Sequence, residues 1–149
     1  MQRFGGKFFY AIANSLPMRI SVIDSHFEVI WVNKTGMEDL NIESLRDVRK
    51  KKCFEVLFGR ESICDECPLP FVREDRSART SVAQERESER FLKITVVPLL
   101  MGEKFQSGDE LYVEVIQDIT EQKKAEDELR KLSDFNAAII KNAPVAIFT

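Results

Sequence analysis

The sequence predicts an α+β domain: one five-stranded antiparallel sheet with helices packed on one face, followed by a long C-terminal helix. Three observations carry this expectation. Strand-like runs fall into two groups, two before a helical middle and three after it, with short connections that suit antiparallel pairing. After the last run, Leu129, Leu132 and Ile139 recur at helical spacing with no further strand signal. Finally, the closing residues echo the opening ones. When Pro17 is aligned with Pro144, Ile12 falls on Ile139, Met18 on Val145 and Ile20 on Ile147, the mark of a repeated module.

Taken in order, Lys7 to Asn14 has the spacing of a short helix, with Phe8, Phe9, Ile12 and Ala13 able to share a face. Pro17 ends it, so residues 1–15 form an N-terminal helix and residues 16–120 the domain proper. Arg19 to Asp24 and Phe27 to Val32 read as strands across the tight turn Asp24-Ser25-His26. Asn33 then caps a short helix through Leu40. Glu43 to Arg76 is helical and irregular. Strands return at Arg79 to Gln84, Arg90 to Leu99 and Glu110 to Gln117, separated by the polar turn Glu87-Ser88-Glu89 and by a charged, glycine-containing loop over 102–109. A linker helix spans residues 121–142, and residues 143–149 read as the first strand of a second, truncated module.

The chain has 149 residues, 44% of them apolar and 32% charged, a globular composition sufficient for one core. Its net charge of −3 gives no general attraction to nucleic acid or anionic lipid. The basic runs Arg46 to Lys52 and Arg73 to Arg79 have acids interspersed and read as solvated faces. No apolar run approaches membrane-spanning length, and Phe8 to Leu16 is broken by Asn14 and Ser15, so the expected compartment is the cytoplasm without membrane insertion.

The element order, the stretch Ile30-Trp31-Val32-Asn33-Lys34 and the junction Asp118-Ile119-Thr120-Glu121 together resemble a PAS sensor domain. The resemblance covers about residues 8–122, and the residues from Ala143 onward resemble the first strand of another PAS domain. It departs at the first hairpin turn, where the family often has Asp-Gly and this chain has Ser25-His26. The resemblance implies a sensory module of a multidomain prokaryotic protein, a sensor histidine kinase or a relative, with downstream domains in the same protein. It implies a ligand cavity between sheet and helices, lined here by Trp31, Met37, Leu40, Phe54, Phe58, Ile94 and Val96. It also implies a signal-relay joint at Asp118 and Thr120. A ligand-free dimerisation scaffold is the alternative.

Cys53, Cys64 and Cys67 form a Cys-x10-Cys-x2-Cys-Pro pattern, and a subset of PAS domains carries a similar stretch. A Cys-x2-Cys pair brings two thiolates within reach of one metal, so zinc or an iron–sulfur cluster is a candidate cofactor, with His26, a carboxylate such as Asp65 or Glu66, water, or a cysteine of a second subunit as a fourth ligand. Three buried structural thiols and a redox pair are the other readings of the same residues. The lone His26 sits in a turn, where a solvated imidazole is expected, and no glycine-rich ATP loop or catalytic constellation is present, so the chain is not expected to be an enzyme. The family's flavin-reactive Asn-Cys-Arg-like motif is missing, and no histidine lies in the helical middle to hold haem. Ala125, Leu129, Leu132, Asn136 and Ile139 step by four and three, the seam of a parallel coiled coil, and predict a homodimer.

Overall fold

A computed structural model describes residues 5–85, 88–99 and 110–142. The chain divides into two units, Met1–Asp118 and Ile119–Thr149. In the first, helix α1 (Gly6–Ser15) precedes strands β1 (Arg19–Asp24) and β2 (Val29–Val32). Helix α2 (Lys34–Asp39), a 3-10 turn at Leu45–Asp47, α3 (Cys53–Phe58) and α4 (Leu69–Asp75) follow. Strands β3 (Arg79–Gln84), β4 (Phe91–Pro98) and β5 (Leu111–Asp118) complete it. The second unit holds α5 (Thr120–Asn142). The expected turn residue Glu87, the 102–109 loop and the strand over 143–149 lie outside the described residues.

The five strands form one antiparallel sheet in the order β2-β1-β5-β4-β3, so β5 is its central strand. Alternation places Tyr112, Glu114 and Ile116 of β5 on one face, beside Leu92, Ile94 and Val96 of β4. Ile23, Cys53, Leu57, Leu69 and Val72 join these apolar side chains in one buried core. The opposite face carries Val22 and Trp31, paired in register, and Tyr10 of α1 meets the Trp31 ring at 5.5 Å.

β2 is shorter than expected and begins at Val29. The cause is the turn before it. Asp24 Oδ1 accepts from the backbone N–H groups of His26 and Glu28 at 2.8 and 2.9 Å, and Phe27 takes a left-handed conformation with φ 65°. A bulky residue there is strained. Its ring is compensated by packing, 6.4 Å from Phe54 and under the Arg73 guanidinium at 5.9 Å. The backbone beyond it pairs with the segment before α3, where Val29 N–H donates to Lys51 and Cys53 N–H to Phe27.

Asn33 is the N-cap of α2, as expected, and does more. Its Oδ1 accepts from Gly36 N–H and from Ile20 N–H, each at 3.0 Å. Its Nδ2 donates to the carbonyls of Ala13 at 2.8 Å and Met18 at 3.0 Å. The residue is 0% exposed. Gly36 must be glycine, because a Cβ there would stand 2.6 Å from Val32 Cγ1. On α5, Arg130 pairs with Asp127 at 3.0 Å, three residues back along the helix.

Replacing Asn33 with Ala strands a buried N–H and two carbonyls as well as removing the cap. We expect a loss of about 3 kcal/mol, measured by urea unfolding, with Asn33→Ser recovering a minor part because it restores only the cap.

Candidate functional site

A cleft of about 790 Å³ opens between the α3 end of the helical half and the β3–β4 side of the sheet. Leu57, Phe58, Ala83, Leu92 and Ile94 give it apolar walls, while Arg60, Glu85, Arg90 and Cys64 bring polar groups. Its shape follows from Gly59. At φ 61° it ends α3 in a left-handed cap, with Gly59 N–H donating to Glu55 and Arg60 N–H to Phe54. The chain then continues as the loop that carries Cys64 and Cys67 and lines one side of the cleft.

Of the expected cavity residues, Leu40, Phe58 and Ile94 line this cleft and the other four do not. Trp31 stands on the opposite face of the sheet against Tyr10. Phe54 turns to Phe27, Val96 is sealed in the core, and Met37 packs beside it. The strand's period shows that Trp31 and Val32 oppose each other, but both neighbours are apolar. Only the register Ser21 to Val32 fixes which of them faces the helices.

The three cysteines share one electrostatic neighbourhood and are all free thiols. Cys67 N–H donates to the Cys64 carbonyl at 3.1 Å, closing the Cys-x2-Cys turn, and Cys53 is buried at the start of α3. Burial pushes the Cys53 thiol far above its ordinary range and raises Cys67 to about 11. Cys64 is raised too, chiefly by burial, against the pull of the Arg60 guanidinium. Burial therefore biases all three thiols toward the neutral form, whereas nucleophilic attack needs thiolate. His26 is exposed in its turn. Among the described residues no group of three or more His, Cys, Asp or Glu side chains has the arrangement to hold a metal ion. The expected metal set therefore does not assemble in this geometry, and the described side chains do not fit a zinc or iron–sulfur centre.

Two features escaped the sequence reading. One is Glu114, buried at the centre of β5 and 2% exposed, whose carboxylate accepts from Ser21 Oγ at 3.4 Å. Burial raises its carboxyl to about 7, with Ser21 and Arg19 opposing. The other is a chain of charges. The Arg19 guanidinium donates to the Leu57 carbonyl at 3.3 Å and pairs with Asp39 at 3.0 Å. Asp39 also meets Arg90 at 3.8 Å, and Arg90 reaches Glu85 at 2.9 Å and Asp118 at 3.8 Å. Arg90 and Glu85 belong to the cleft, and Asp118 is the last residue of β5. The exposed pairs are each worth well under 1 kcal/mol, so their role is geometric. Thr120, the other expected relay residue, is the first residue of α5.

α5, taken by itself, buries none of its residues. Ala125, Leu129, Leu132, Asn136 and Ile139 are exposed, as are Phe135 and Ile140. No helix among the described residues is long and apolar enough to cross a membrane.

The solved structures that match are PAS and light-oxygen-voltage domains. The fold is that of a PAS domain. The PAS domain of BvgS from Bordetella pertussis aligns at 17% identity and TM-score 0.55, over 89% of this chain and 96% of that one. The PAS domain of nitrogen regulation protein NR(II) from Vibrio parahaemolyticus aligns at 14% and 0.57, over 74% and 96%. A PAS domain from a two-component sensor histidine kinase aligns at 12% and 0.54, over 75% and 94%. No protein-family model matches the sequence, and no curated protein does. At these identities the likeness concerns the fold.

Burial and ionisation together set the order of thiol reactivity. With iodoacetamide, Cys64 and Cys67 should label before Cys53, whose modification should follow global unfolding. Between pH 7 and 9 the rate at Cys67 should rise about tenfold per unit, since its thiolate fraction does, and the rate at Cys64 should rise with pH as well. Mass spectrometry of peptides from a timed series checks both; a fast, pH-independent Cys64 would contradict this account.

Proposed function

We propose that this chain is a sensory module of a multidomain signalling protein, in which a small molecule held in the α3 cleft is reported through the end of β5 to the helix that follows. The carrying observation is that the polar wall of the cleft and the end of β5 share one residue. Arg90 lines the cleft and pairs with Asp118, and only Ile119 separates Asp118 from α5. A ligand that draws on Arg90 or Glu85 changes the restraint that Arg90 places on Asp118. The mixed apolar and polar walls suit a small metabolite with a polar end.

α5 is the output in this reading. Its exposed Leu129, Leu132 and Ile139 with Asn136 between them suit a parallel homodimer of modest stability, near the balance a switch needs. The solved PAS domain from a two-component sensor histidine kinase supports placing a kinase or related domain elsewhere in the protein. Catalysis belongs to that domain. Cys53 and Cys67 fill the core beside the cleft, and Cys64 stands in its wall.

A thermal-shift screen of small metabolites against the purified chain tests the cleft. A ligand at 100 times its Kd should stabilise by about 2.7 kcal/mol, and Asp118→Asn should preserve that binding while uncoupling output in the full-length protein. If no compound at millimolar concentration stabilises the chain, the ligand reading falls and a scaffold remains.

Sedimentation at tens of micromolar tests the helix. A dimer is expected, with Leu129→Asp and Leu132→Asp each shifting it to monomer. A monomer indifferent to both changes would remove α5 as a pairing surface.

A further inference from the structure

We propose that Glu114 is a proton-binding site, and that its ionisation is passed through Arg19 to the chain of charges ending at Asp118. The clause about Asp118 rests on the relay proposed above; the proton site stands without it.

Most of what faces this carboxyl favours the neutral acid, with Ser21 and Arg19 opposing. Ser21, across the β1–β5 pairing, gives one long hydrogen bond at 3.4 Å. Val96, its partner on β4, is apolar. On its own strand Ile116 is apolar, and the Tyr112 hydroxyl donates to Glu110. From α3 comes the thiol of Cys53, and from the loop before α4 those of Cys64 and Cys67. Protonated thiols carry no charge to offset an anion. Among the described residues the cation acting on it is Arg19. That guanidinium is already committed to Asp39 and to the Leu57 carbonyl. A fully buried carboxylate with a shared counter-ion holds its proton well above the ordinary range.

Losing that proton sets up a competition. Glu114 and Asp39 then draw on one guanidinium, and Asp39, released in part from Arg19, is freer to engage Arg90. Arg90 in turn holds Asp118. The input is the proton itself. No co-reactant is required, because the carboxyl gives its proton to solvent and recovers it.

The sign of the stability effect follows. The folded chain keeps this proton to about pH 7, whereas the unfolded chain gives it up in the ordinary carboxylate range. This group therefore adds stability that is full below the ordinary range, falls as pH rises toward 7, and is flat above. Glu114→Gln, which keeps the shape and cannot ionise, should lose that component. The difference in melting temperature between variant and wild type should widen in the variant's favour from pH 5 to pH 7.5 and then stop growing.

Carboxyl-carbon NMR of the full 149-residue chain, with the Glu114 signal assigned by its loss in Glu114→Gln, gives the decisive titration. A midpoint within about one unit of pH 7, and an Arg19 Nε–H resonance that follows the same midpoint in wild type and is pH-invariant in the variant, are expected. A Glu114 midpoint in the ordinary carboxylate range, or an Arg19 resonance indifferent to it, overturns the proposal. If Glu114→Gln folds poorly, Ser21→Ala shifts the same signal and assigns it independently, so the wild-type titration can still be read. Should Glu114 and Arg19 titrate together while Asp118 does not respond, the proton site is confirmed and the relay reading fails instead.

Discussion

One side-chain amide holds the first half of the domain together. Asn33 ends β2, and from that position it satisfies the start of β1, the last turn of α1, the link between them and the first turn of α2. With no water to replace these bonds at a 0% exposed site, all four must form together or leave buried groups unpaired. The close approach at Gly36 is its consequence. α2 begins so near β2 that a methyl group would collide with Val32. Because α2 is fixed there, Asp39 at its end is delivered to Arg19 and Arg90.

Arg19 is the second constraint and has a different character. Its guanidinium is nearly inaccessible, and burial lowers its own pKa against the attraction of Asp39. A buried charge is a poor source of stability and a good source of specificity, since an ill-placed partner costs several kcal/mol. Here the specificity is topological. One side chain on β1 ties the ends of α2 and α3 to the sheet. Cleft, charge chain and β5 terminus therefore form a connected set rather than neighbours by accident.

The central strand sits between two demands. Tyr112 and Ile116 help seal the core, while Glu114 between them introduces a carboxyl where an apolar residue would pack without cost. The three thiols around it fill space as weakly polar groups that tolerate either charge state. Their suppressed ionisation is a result of the same burial that acts on Glu114, so the cysteine cluster and the buried acid are one environment seen from two sides.

The sequence alone determined what local physics dictates. Strand alternation located all five strands, the polar residue after β2 announced the cap, and heptad spacing marked α5 with its exposed Leu129 and Leu132. Such features depend on near neighbours in the chain. The tertiary structure decided everything that depends on register. It put Trp31 outside and Val32 inside, choices that a single-residue slip would reverse. It moved the left-handed residue of the first turn to Phe27, since a distant ring and guanidinium stabilise that conformation. It withheld a metal geometry from three cysteines whose spacing had suggested one, because spacing fixes only the Cys64–Cys67 turn. Glu114 and Arg19 were invisible for the same reason. Each looks like an ordinary polar position in an alternating strand until pairing across β1, β5 and β4 shows which face is buried.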